Sequence, residues 1–352
     1  MYRKSFGFLS NNQICNSYGG IFVTKFLILT SRERMEKYID FARIPQDWEF
    51  VYVDYGYSDD DVLAAGKDAE YILVDAVCPV SRRVIENMPN LKLIHSEGVG
   101  YNRIDTAAAK EKGIYVCNNA GVNSAAVAEQ AILLMLGLLR RLAEGDRMVR
   151  AGKQAEAKNM FILEGIHELG ACHVGLVGFG SIGKATAERL SAFGAKVSCY
   201  CRSRLSEKEE SRNTAQSIPL EELIRECDII SLHLPVTPDT IGFVDEKFLA
   251  GMKKTAILIN TARGEIVDQT ALAEALTEGT IAGAGLDTMY PEPVTKDNPL
   301  LNLPEEMKYK ILFSPHTAGT THEVFMRIHQ NVWNNFKAVS DGKRPDNIVN
   351  DV

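Results

Sequence analysis

Short apolar runs alternate with helical stretches along most of the chain, starting near residue 25. The first run, KFLILT (25–30), leads into Thr30 and Glu33 at capping-box spacing, which predicts a helix that ends near Arg43. The next apolar runs are VYVDY, AEYILVD, LKLIHSE and IYVCN. Nearly continuous apolar strands separated by helices indicate a parallel sheet that is covered on both faces.

A long apolar segment and a second alternation follow. The segment NSAAVAEQAILLMLGLLRRLAEG (123–145) predicts one helix, buried on several sides because its apolar residues occupy more than one face. Further strands run from Cys172 to about Pro315, and an amphipathic helix extends from Thr321 to about Gly342. The pattern predicts an α/β fold with two doubly wound parallel-sheet domains. It leaves open whether the last helix returns to the first domain.

Composition narrows the class of protein. The 352 residues are long enough for two domains, and a net charge of −7 argues against nucleic acid or an anionic membrane as the main partner. The seven cysteines contain no CxxC, which favours a reducing compartment, so we expect a cytoplasmic protein. We expect no transmembrane segment, because no run reaches about 18 apolar residues. Residues 1–22 carry no periodicity and are predicted to be a loose extension.

The strongest local motif is VGLVGFGSIGKATAERL (174–190), in which an apolar strand leads through glycines into a helix. Gly178 permits a tight turn, Gly180 lets a pyrophosphate approach the backbone, and Gly183 lets helix and strand pack closely. The first N–H groups of the helix attract an anion. The turn from Gly178 to Gly183, with Phe179, Ser181 and Ile182, is therefore predicted to bind a dinucleotide.

The end of the next strand bears on cofactor choice. KVSCYC (196–201) ends at Cys201 and is followed by Arg202, Ser203 and Arg204. An acidic residue at this place would bind the ribose hydroxyls of NAD and repel a 2′-phosphate. Two arginines and a serine favour the phosphate of NADP instead. The alternative is that these are solvated loop charges.

Three further polar residues follow predicted strands of the second domain. Arg263 comes after AILINT, Glu292 after AGAGLDT, and His316 after KILFSP. Ligands of doubly wound sheets bind at the carboxyl ends of the strands, so these side chains are expected to converge beside a nicotinamide. Taken singly, the arginine could be a surface ion pair and the histidine an ordinary polar residue.

The segments GVGYNRID (98–105), VAE, VGLVGFGSIG, HLPVTPDT (233–240), MKKTAILINTARGEIVD, GAGLDTMYPEP and SPHTAG resemble, in order, the sequence blocks of the D-isomer-specific 2-hydroxyacid dehydrogenases. The resemblance covers Lys25 to about Gly342. It implies a flavodoxin-like substrate domain made of residues 23–119 and 316–352, and a Rossmann cofactor domain of residues 120–315. It also implies a homodimer that pairs through the Rossmann domain.

The resemblance also implies roles for particular residues. His316 matches the catalytic acid/base, Glu292 the carboxylate that pairs with it, and Arg263 the arginine that grips the substrate carboxylate. The backbone of Val99 and Gly100 matches the loop that also holds this carboxylate. Cofactor contacts are implied for Ser124, Pro235, Thr240, Thr261 and Asp287. The chemistry calls for no metal.

The predicted activity is hydride transfer between NADP or NAD and a small 2-oxo or 2-hydroxy acid of D configuration. Cys201 replaces the aspartate that the family usually has, so NADPH is predicted to be preferred. In VDAVCPVSRR (74–83), Asp75, Ala76 and Val77 stand where a phosphate would favour cations. This favours glyoxylate, hydroxypyruvate or an aliphatic 2-oxo acid. The alternatives are phosphoglycerate oxidation and, in another class, a dinucleotide-sensing co-repressor that binds peptides.

Overall fold

The computed structural model describes residues 23–202 and 205–352 and contains two parallel β-sheets. The predicted extension 1–22, and with it Ser203 and Arg204, lies outside the described residues. The chain divides into two compact units: the described residues up to Asn119 with His329–Val352, and Ala120–Ile328. The C-terminal segment of the first unit therefore begins at residue 329, within the last helix. The sequence analysis placed the beginning of this segment at residue 316.

The first unit is a doubly wound sheet in the strand order β2-β1-β3-β4-β5. Its strands are β1 Thr24–Leu29, β2 Trp48–Tyr52, β3 Tyr71–Val74, β4 Leu93–Ser96 and β5 Tyr115–Cys117. Its helices are α1 Arg32–Tyr38, α2 Asp59–Gly66, α3 Arg82–Glu86 and α4 Thr106–Glu111, with a 3-10 helix at Phe41–Arg43. The order reverses between β1 and β3, as in flavodoxin-like folds.

The second unit has a seven-stranded sheet in the order β12-β11-β10-β9-β6-β7-β8, which reverses between β6 and β9. Its strands are β6 His173–Val177, β7 Lys196–Tyr200, β8 Gln216–Ser217, β9 Ile229–Leu232, β10 Ile257–Asn260, β11 Gly283–Leu286 and β12 Ile311–Phe313. Its helices are α5 Ser124–Leu139, α6 Leu142–Arg150, α7 Gln154–Glu164, α8 Ser181–Ala192, α9 Glu207–Asn213, α10 Leu220–Glu226, α11 Glu246–Gly251 and α12 Gln269–Glu278. Short 3-10 helices lie at Leu169–Ala171, Gly264–Ile266, Pro299–Asn302 and Glu305–Lys310, and helix α13, His322–Ser340, runs from this unit into the first. The order around β6 is that of a Rossmann fold.

Both faces of the first sheet are buried, as its nearly continuous apolar strands predict. Neighbouring residues of a strand point to opposite faces, so Leu27 and Ile72 join one core while the rings of Phe26 and Tyr71 stack on the other side. Phe336 of α13 closes this second face, with its ring centroid 5.1 Å from that of Phe26. The C-terminal helix is thus part of the core of the first unit.

The predicted capping box at Thr30 is wrong. The residue that caps α1 is Ser31, whose side chain accepts a hydrogen bond from the Arg34 backbone N–H at 3.3 Å. The hydroxyl of Thr30 instead donates to the buried carboxylate of Glu97. A long-range bond to a buried charge therefore replaces the local cap.

The predicted helix over 123–145 is also wrong as a single element. It breaks into α5 and α6 at Arg141, which has a left-handed φ of 50°. The Arg141 guanidinium lies 2.7 Å from the buried carboxylate of Glu144 and also pairs with Glu164, and these ion pairs hold the break in place. Within the described ranges, no helix has both the length and the apolarity needed to cross a bilayer.

Candidate active site

The glycine turn after β6 has the geometry that its sequence predicts. Gly178 has a φ of 97°, and a Cβ there would lie 2.3 Å from the carbonyl oxygen of His233. A Cβ on Gly183 would lie 2.5 Å from the Gly178 oxygen, so glycine lets α8 start close to the strand. No described atom lies within 4 Å of the Cβ position of Gly180. The turn therefore stays open where α8 presents its first N–H groups.

Several buried hydroxyl groups of this unit have no hydrogen-bond partner in the described part of the chain, and they bear on whether the unit can bind a dinucleotide. The Oγ1 atom of Thr261 and the Oγ atom of Ser124 are buried and have no hydrogen-bond partner among the described residues. The same holds for Oγ1 of Thr288, a residue that the sequence analysis missed. Buried polar atoms are ordinarily hydrogen-bonded. The residues present therefore fit a bound nicotinamide dinucleotide that supplies the missing partners.

The predicted cofactor loop after β9 is stabilised by its own residues. The hydroxyl of Thr240 donates to the Pro235 carbonyl oxygen at 2.7 Å and accepts from the Thr237 N–H at 2.7 Å. Thr240 therefore shapes the loop through these bonds.

The end of β7 carries a neutral group where an acid is usual. Cys201 is half-buried, and burial raises the pKa of its thiol, so it is uncharged at neutral pH. Arg202 follows and is exposed. Cys201 and Arg202 thus present no negative charge that would repel a phosphate.

A short loop after β10 carries Arg263. The Asn260 side chain donates to the Arg263 carbonyl oxygen at 2.8 Å and accepts from the Ala262 N–H at 3.0 Å, which fixes the loop at both ends. A Cβ on Gly264 would lie 2.2 Å from the carbonyl carbon of Met289, so glycine lets this loop pass against the loop that follows β11. The side chain of Arg263 is exposed.

His316 follows β12 and pairs with Glu292 from the loop after β11. The Nδ1 atom of His316 lies 2.6 Å from Oε1 of Glu292, and the two side chains are 38% and 53% exposed. Strands β10, β11 and β12 are neighbours in the sheet, so Arg263, Glu292 and His316 follow three consecutive strand ends. With Nδ1 turned to the carboxylate, Nε2 is the ring atom left to exchange a proton.

Asp287 fixes the backbone around His316. Its carbonyl oxygen accepts the His316 N–H at 2.9 Å, and its carboxylate accepts the N–H groups of Thr317 and Ala318, each at 3.0 Å. The hydroxyl of Ser314 also donates to this carboxylate. These bonds hold His316 at a φ of 54°, which non-glycine residues seldom adopt. Asp287, which the resemblance assigns to the cofactor, is thus also the anchor of the histidine loop.

The loop 98–100 after β4, in the first unit, turns its three carbonyl groups toward its own domain. The donors are Asn119 N to Gly98 O (3.0 Å), Asn118 Nδ2 to Val99 O (2.8 Å) and Ser96 Oγ to Gly100 O (2.5 Å). Among the hydrogen bonds of residues 23–202 and 205–352, none is donated by the N–H of Val99 or Gly100. Two main-chain donors therefore remain available for an anion.

The sequence analysis missed the three residues that orient this loop, Ser96, Asn118 and Asn119. A signal was present for two of them, because the pair Asn118–Asn119 directly follows the apolar run IYVC. Polar residues at the end of a parallel strand commonly serve a ligand site. Here the two residues contact the loop itself, because Asn118 donates to the Val99 carbonyl oxygen and Asn119 to the Gly98 carbonyl oxygen.

Comparisons with known proteins identify the family of the chain. The family model for the NAD binding domain of D-isomer specific 2-hydroxyacid dehydrogenases matches residues 132–318. The chain is 39% identical over 289 residues to the glyoxylate reductase of Korarchaeum cryptofilum, covering 82% of this chain and 85% of that protein.

Solved structures show the same architecture. A D-isomer specific 2-hydroxyacid dehydrogenase from Lactobacillus delbrueckii ssp. bulgaricus, in its NAD-complexed form, has a TM-score of 0.76 and 30% identity, covering 93% of this chain and 100% of that one. The D-lactate dehydrogenase of Aquifex aeolicus complexed with NAD and lactic acid has a TM-score of 0.77 and 28% identity, covering 94% and 100%. The chain belongs to the D-isomer specific 2-hydroxyacid dehydrogenase family and is an oxidoreductase that uses a nicotinamide cofactor on 2-oxo and 2-hydroxy acids.

Proposed function

We propose that this protein reduces glyoxylate, or a 2-oxo acid of similar size, and that it prefers NADPH. The observation that carries the proposal is the 2.6 Å pair of His316 and Glu292 beside the strand end that bears Arg263. The glyoxylate reductase of Korarchaeum cryptofilum supports the choice of a small substrate.

His316 and Arg263 supply the groups that this reaction needs. A bound nicotinamide would supply the hydride that C2 of the substrate receives. Protonated His316 donates from Nε2 to the carbonyl oxygen as negative charge develops there, and Glu292 favours the charged imidazole and fixes its orientation. The planar guanidinium of Arg263 binds the substrate carboxylate through two parallel hydrogen bonds.

We propose that the five-stranded unit is the substrate domain and that the N–H groups of Val99 and Gly100 also bind the substrate carboxylate. Their carbonyl groups are held inward, so the loop offers donors and no competing acceptors. Fixed main-chain donors need no rearrangement when an anion binds. We propose that Gly178–Gly183, Ser124, Thr261 and Asp287 of the other unit bind the cofactor.

The preference for NADPH rests on Cys201 and Arg202, together with the chain neighbours Ser203 and Arg204. The neutral thiol does not repel a 2′-phosphate, and charge-assisted hydrogen bonds from arginine stabilise one. One such bond is worth about 1.5–3 kcal/mol, which corresponds to a preference of about tenfold or more over NADH.

The cofactor test compares kcat/KM for NADPH and NADH in the wild type and in the Arg202→Ala/Arg204→Ala double variant. The wild type should prefer NADPH, and the double variant should lose most of that preference. A matched control is Arg225→Ala, an exposed arginine on α10, which should keep the wild-type ratio. A wild type that prefers NADH contradicts the proposal.

We further propose a homodimer that pairs through the Rossmann unit. Six exposed apolar side chains on α5–α7 and just after α7 support it: Leu133, Leu142, Val149, Ile162, Leu163 and Ile166. Leu163 is 86% exposed. A group of exposed apolar side chains such as this one commonly marks a protein–protein interface. Sedimentation should give a dimer for the wild type and a monomer for Ile162→Glu/Leu163→Glu. Phe193→Glu, at an exposed site after α8, is the control and should stay dimeric.

The function itself is tested by following cofactor absorbance with a panel of 2-oxo acids. Glyoxylate, hydroxypyruvate and pyruvate should be reduced, with glyoxylate among the best substrates. Cofactor binding without turnover of any 2-oxo acid would contradict the proposal and favour a dinucleotide-sensing protein.

A further inference from the structure

A chain of hydrogen bonds runs from the long helix α5 to the loop that carries His316. The side-chain amide of Gln130 on α5 donates to the hydroxyl of Ser314 at 2.9 Å, and this hydroxyl donates to Oδ1 of Asp287. A serine hydroxyl has one proton, which here goes to the carboxylate, so the amide of Gln130 is the donor in its own bond. These three residues, Gln130, Ser314 and Asp287, are called the anchor chain below.

The Asp287 end of the anchor chain holds the backbone next to His316. Oδ1 of Asp287 accepts both the Ser314 hydroxyl and the Thr317 N–H. Oδ2 accepts the Ala318 N–H at 3.0 Å. His316 has a left-handed φ of 54°, which costs energy for a residue with a Cβ and persists only where its surroundings impose it. The orientation of the Asp287 carboxylate therefore helps to set where the histidine ring lies.

The Gln130 end of the anchor chain belongs to a rigid part of the second unit. Helix α5 packs against the neighbouring strands β10, β11 and β12. The approach is close, because a Cβ on Gly285 of β11 would lie 2.9 Å from the Cβ of Leu134 on α5. Gln130 itself is half-buried, whereas Pro315 and Thr317 of the histidine loop are exposed. The amide is thus a fixed donor that ties an exposed loop to the core.

We propose, on the basis of the function proposed above, that Gln130 and Ser314 position His316 through Asp287. Acid catalysis requires Nε2 of His316 to lie within hydrogen-bond reach of the substrate carbonyl oxygen. A displacement of about 1 Å can lower a rate about 10²-fold, so the loop has to be held by a rigid element. Neither Gln130 nor Ser314 exchanges a proton with the substrate. Their removal therefore lowers kcat and leaves the affinity for NADPH unchanged.

The first variant removes the amide donor and keeps the length of the side chain. Gln130→Met should lower kcat for glyoxylate about tenfold, the worth of one hydrogen bond. Steady-state kinetics measure kcat, and fluorescence titration measures the affinity for NADPH, which should equal that of the wild type. Glu129→Met is the matched control, because it places the same side chain at a neighbouring position that is 67% exposed. It should keep the wild-type kcat.

Two variants of Ser314 test the middle of the anchor chain. Ser314→Ala removes the hydroxyl and with it both hydrogen bonds, so kcat should fall at least as far as in Gln130→Met. Ser314→Thr keeps a hydroxyl at the same carbon and should restore most of kcat. Recovery by threonine, and not by alanine, assigns the effect to the hydrogen bonds.

A double-mutant cycle with His316→Ala separates positioning from a merely structural role. If the anchor chain acts through His316, Gln130→Met should lower kcat no further once His316 is replaced by alanine. A structural role would lower kcat by the same factor in both backgrounds. That result, or a wild-type kcat in both Gln130→Met and Ser314→Ala, overturns the positioning proposal while the proposed function stands. If the wild type reduces no 2-oxo acid, both are overturned.

Discussion

The two parallel sheets use their carboxyl edges in different ways. At the edge of the five-stranded sheet, the charged side chains Arg34, Asp75 and Glu97 bond to one another, and the loop 98–100 offers main-chain N–H groups. At the edge of the seven-stranded sheet, Arg263 and His316 are presented on loops fixed by their neighbours. The proposed recognition of the substrate carboxylate at the first edge needs fixed donors, which main-chain N–H groups provide. Proton transfer needs a titratable side chain that can reach its substrate.

Two histidines show the same contrast. His95 of β4 is fully buried, with Nδ1 at 2.8 Å from the Ser96 carbonyl oxygen and Nε2 at 3.0 Å from the Asn335 amide. Burial lowers the pKa of His95 to about 4, so it is neutral at pH 7. His316 is partly exposed and has a carboxylate partner. The environment, and not the residue type, separates the buried structural histidine from the one that we propose as the acid/base.

The largest expected effect is at His316. Replacing it with alanine removes the proton donor, so kcat should fall about 10³-fold, within the usual range for a general acid. Cofactor affinity, measured by fluorescence titration, should stay at the wild-type value. The control His167→Ala removes an exposed histidine and should keep full activity. Near wild-type turnover of His316→Ala would exclude it as the acid.

The next largest effect is at Arg263. Arg263→Lys keeps the positive charge but loses the planar fork, so kcat/KM for glyoxylate should fall about 10²-fold. Arg225→Lys, on the surface of α10, is the matched control and should have no effect. If steady-state kinetics give the same values for Arg263→Lys and the wild type, Arg263 does not bind the substrate.

The buried His95 should make the first unit sensitive to acid. Its pKa lies near 4 in the fold and near 6.5 in the unfolded chain, so between these values the unfolded chain binds more protons. Stability should therefore fall as pH drops below 6.5, by about 2 kcal/mol between pH 7 and pH 5. Trp48 and Trp333 both lie in the first unit, so tryptophan fluorescence during urea unfolding reports this change.

His95→Gln is the variant that isolates this contribution. Glutamine does not titrate, so the loss of stability between pH 7 and pH 5 should be smaller by about 2 kcal/mol than in the wild type. An unchanged difference between the two pH values would assign the acid sensitivity to other groups.

The donor loop should respond more mildly. Ser96→Ala removes the hydroxyl that holds the Gly100 carbonyl inward, which should raise KM for glyoxylate about fivefold to tenfold, the worth of one hydrogen bond. The value of kcat and the affinity for NADPH should stay the same. Ser198→Ala removes a buried serine of β7 that contacts His173, and it should leave KM unchanged. Equal KM values for Ser96→Ala and the wild type would contradict the role of the loop.

The smallest effect is expected at Glu292. Glu292→Gln keeps the size of the side chain but replaces a charge-assisted hydrogen bond to Nδ1 of His316 with a neutral one, so kcat for glyoxylate should fall about threefold. Steady-state kinetics at saturating glyoxylate measure this change. A kcat equal to that of the wild type would mean that the charge of Glu292 does not act in catalysis.

Much of this molecule follows from the sequence because its determinants are local. The apolar runs predict parallel strands, and the glycines at 178, 180 and 183 predict the turn. The positions of Arg263, Glu292 and His316 directly after strands make them candidate site residues. Each of these signals is contained in a few consecutive residues. Steric limits on φ and the burial of strand faces act on such short segments, whatever the rest of the chain does.

The tertiary structure alone decided the features that depend on distant pairs. The hydroxyl of Thr30 bonds to Glu97, 67 residues away, instead of capping α1. The carbonyl of Val99 is turned inward by the Asn118 amide, which leaves its N–H group for an anion. A Thr before a helix or an Asn after a strand can form several different side-chain hydrogen bonds of similar strength. The tertiary structure determines which of these hydrogen bonds forms. A buried carboxylate or carbonyl group must be hydrogen-bonded, and the fold determines which donor lies next to it.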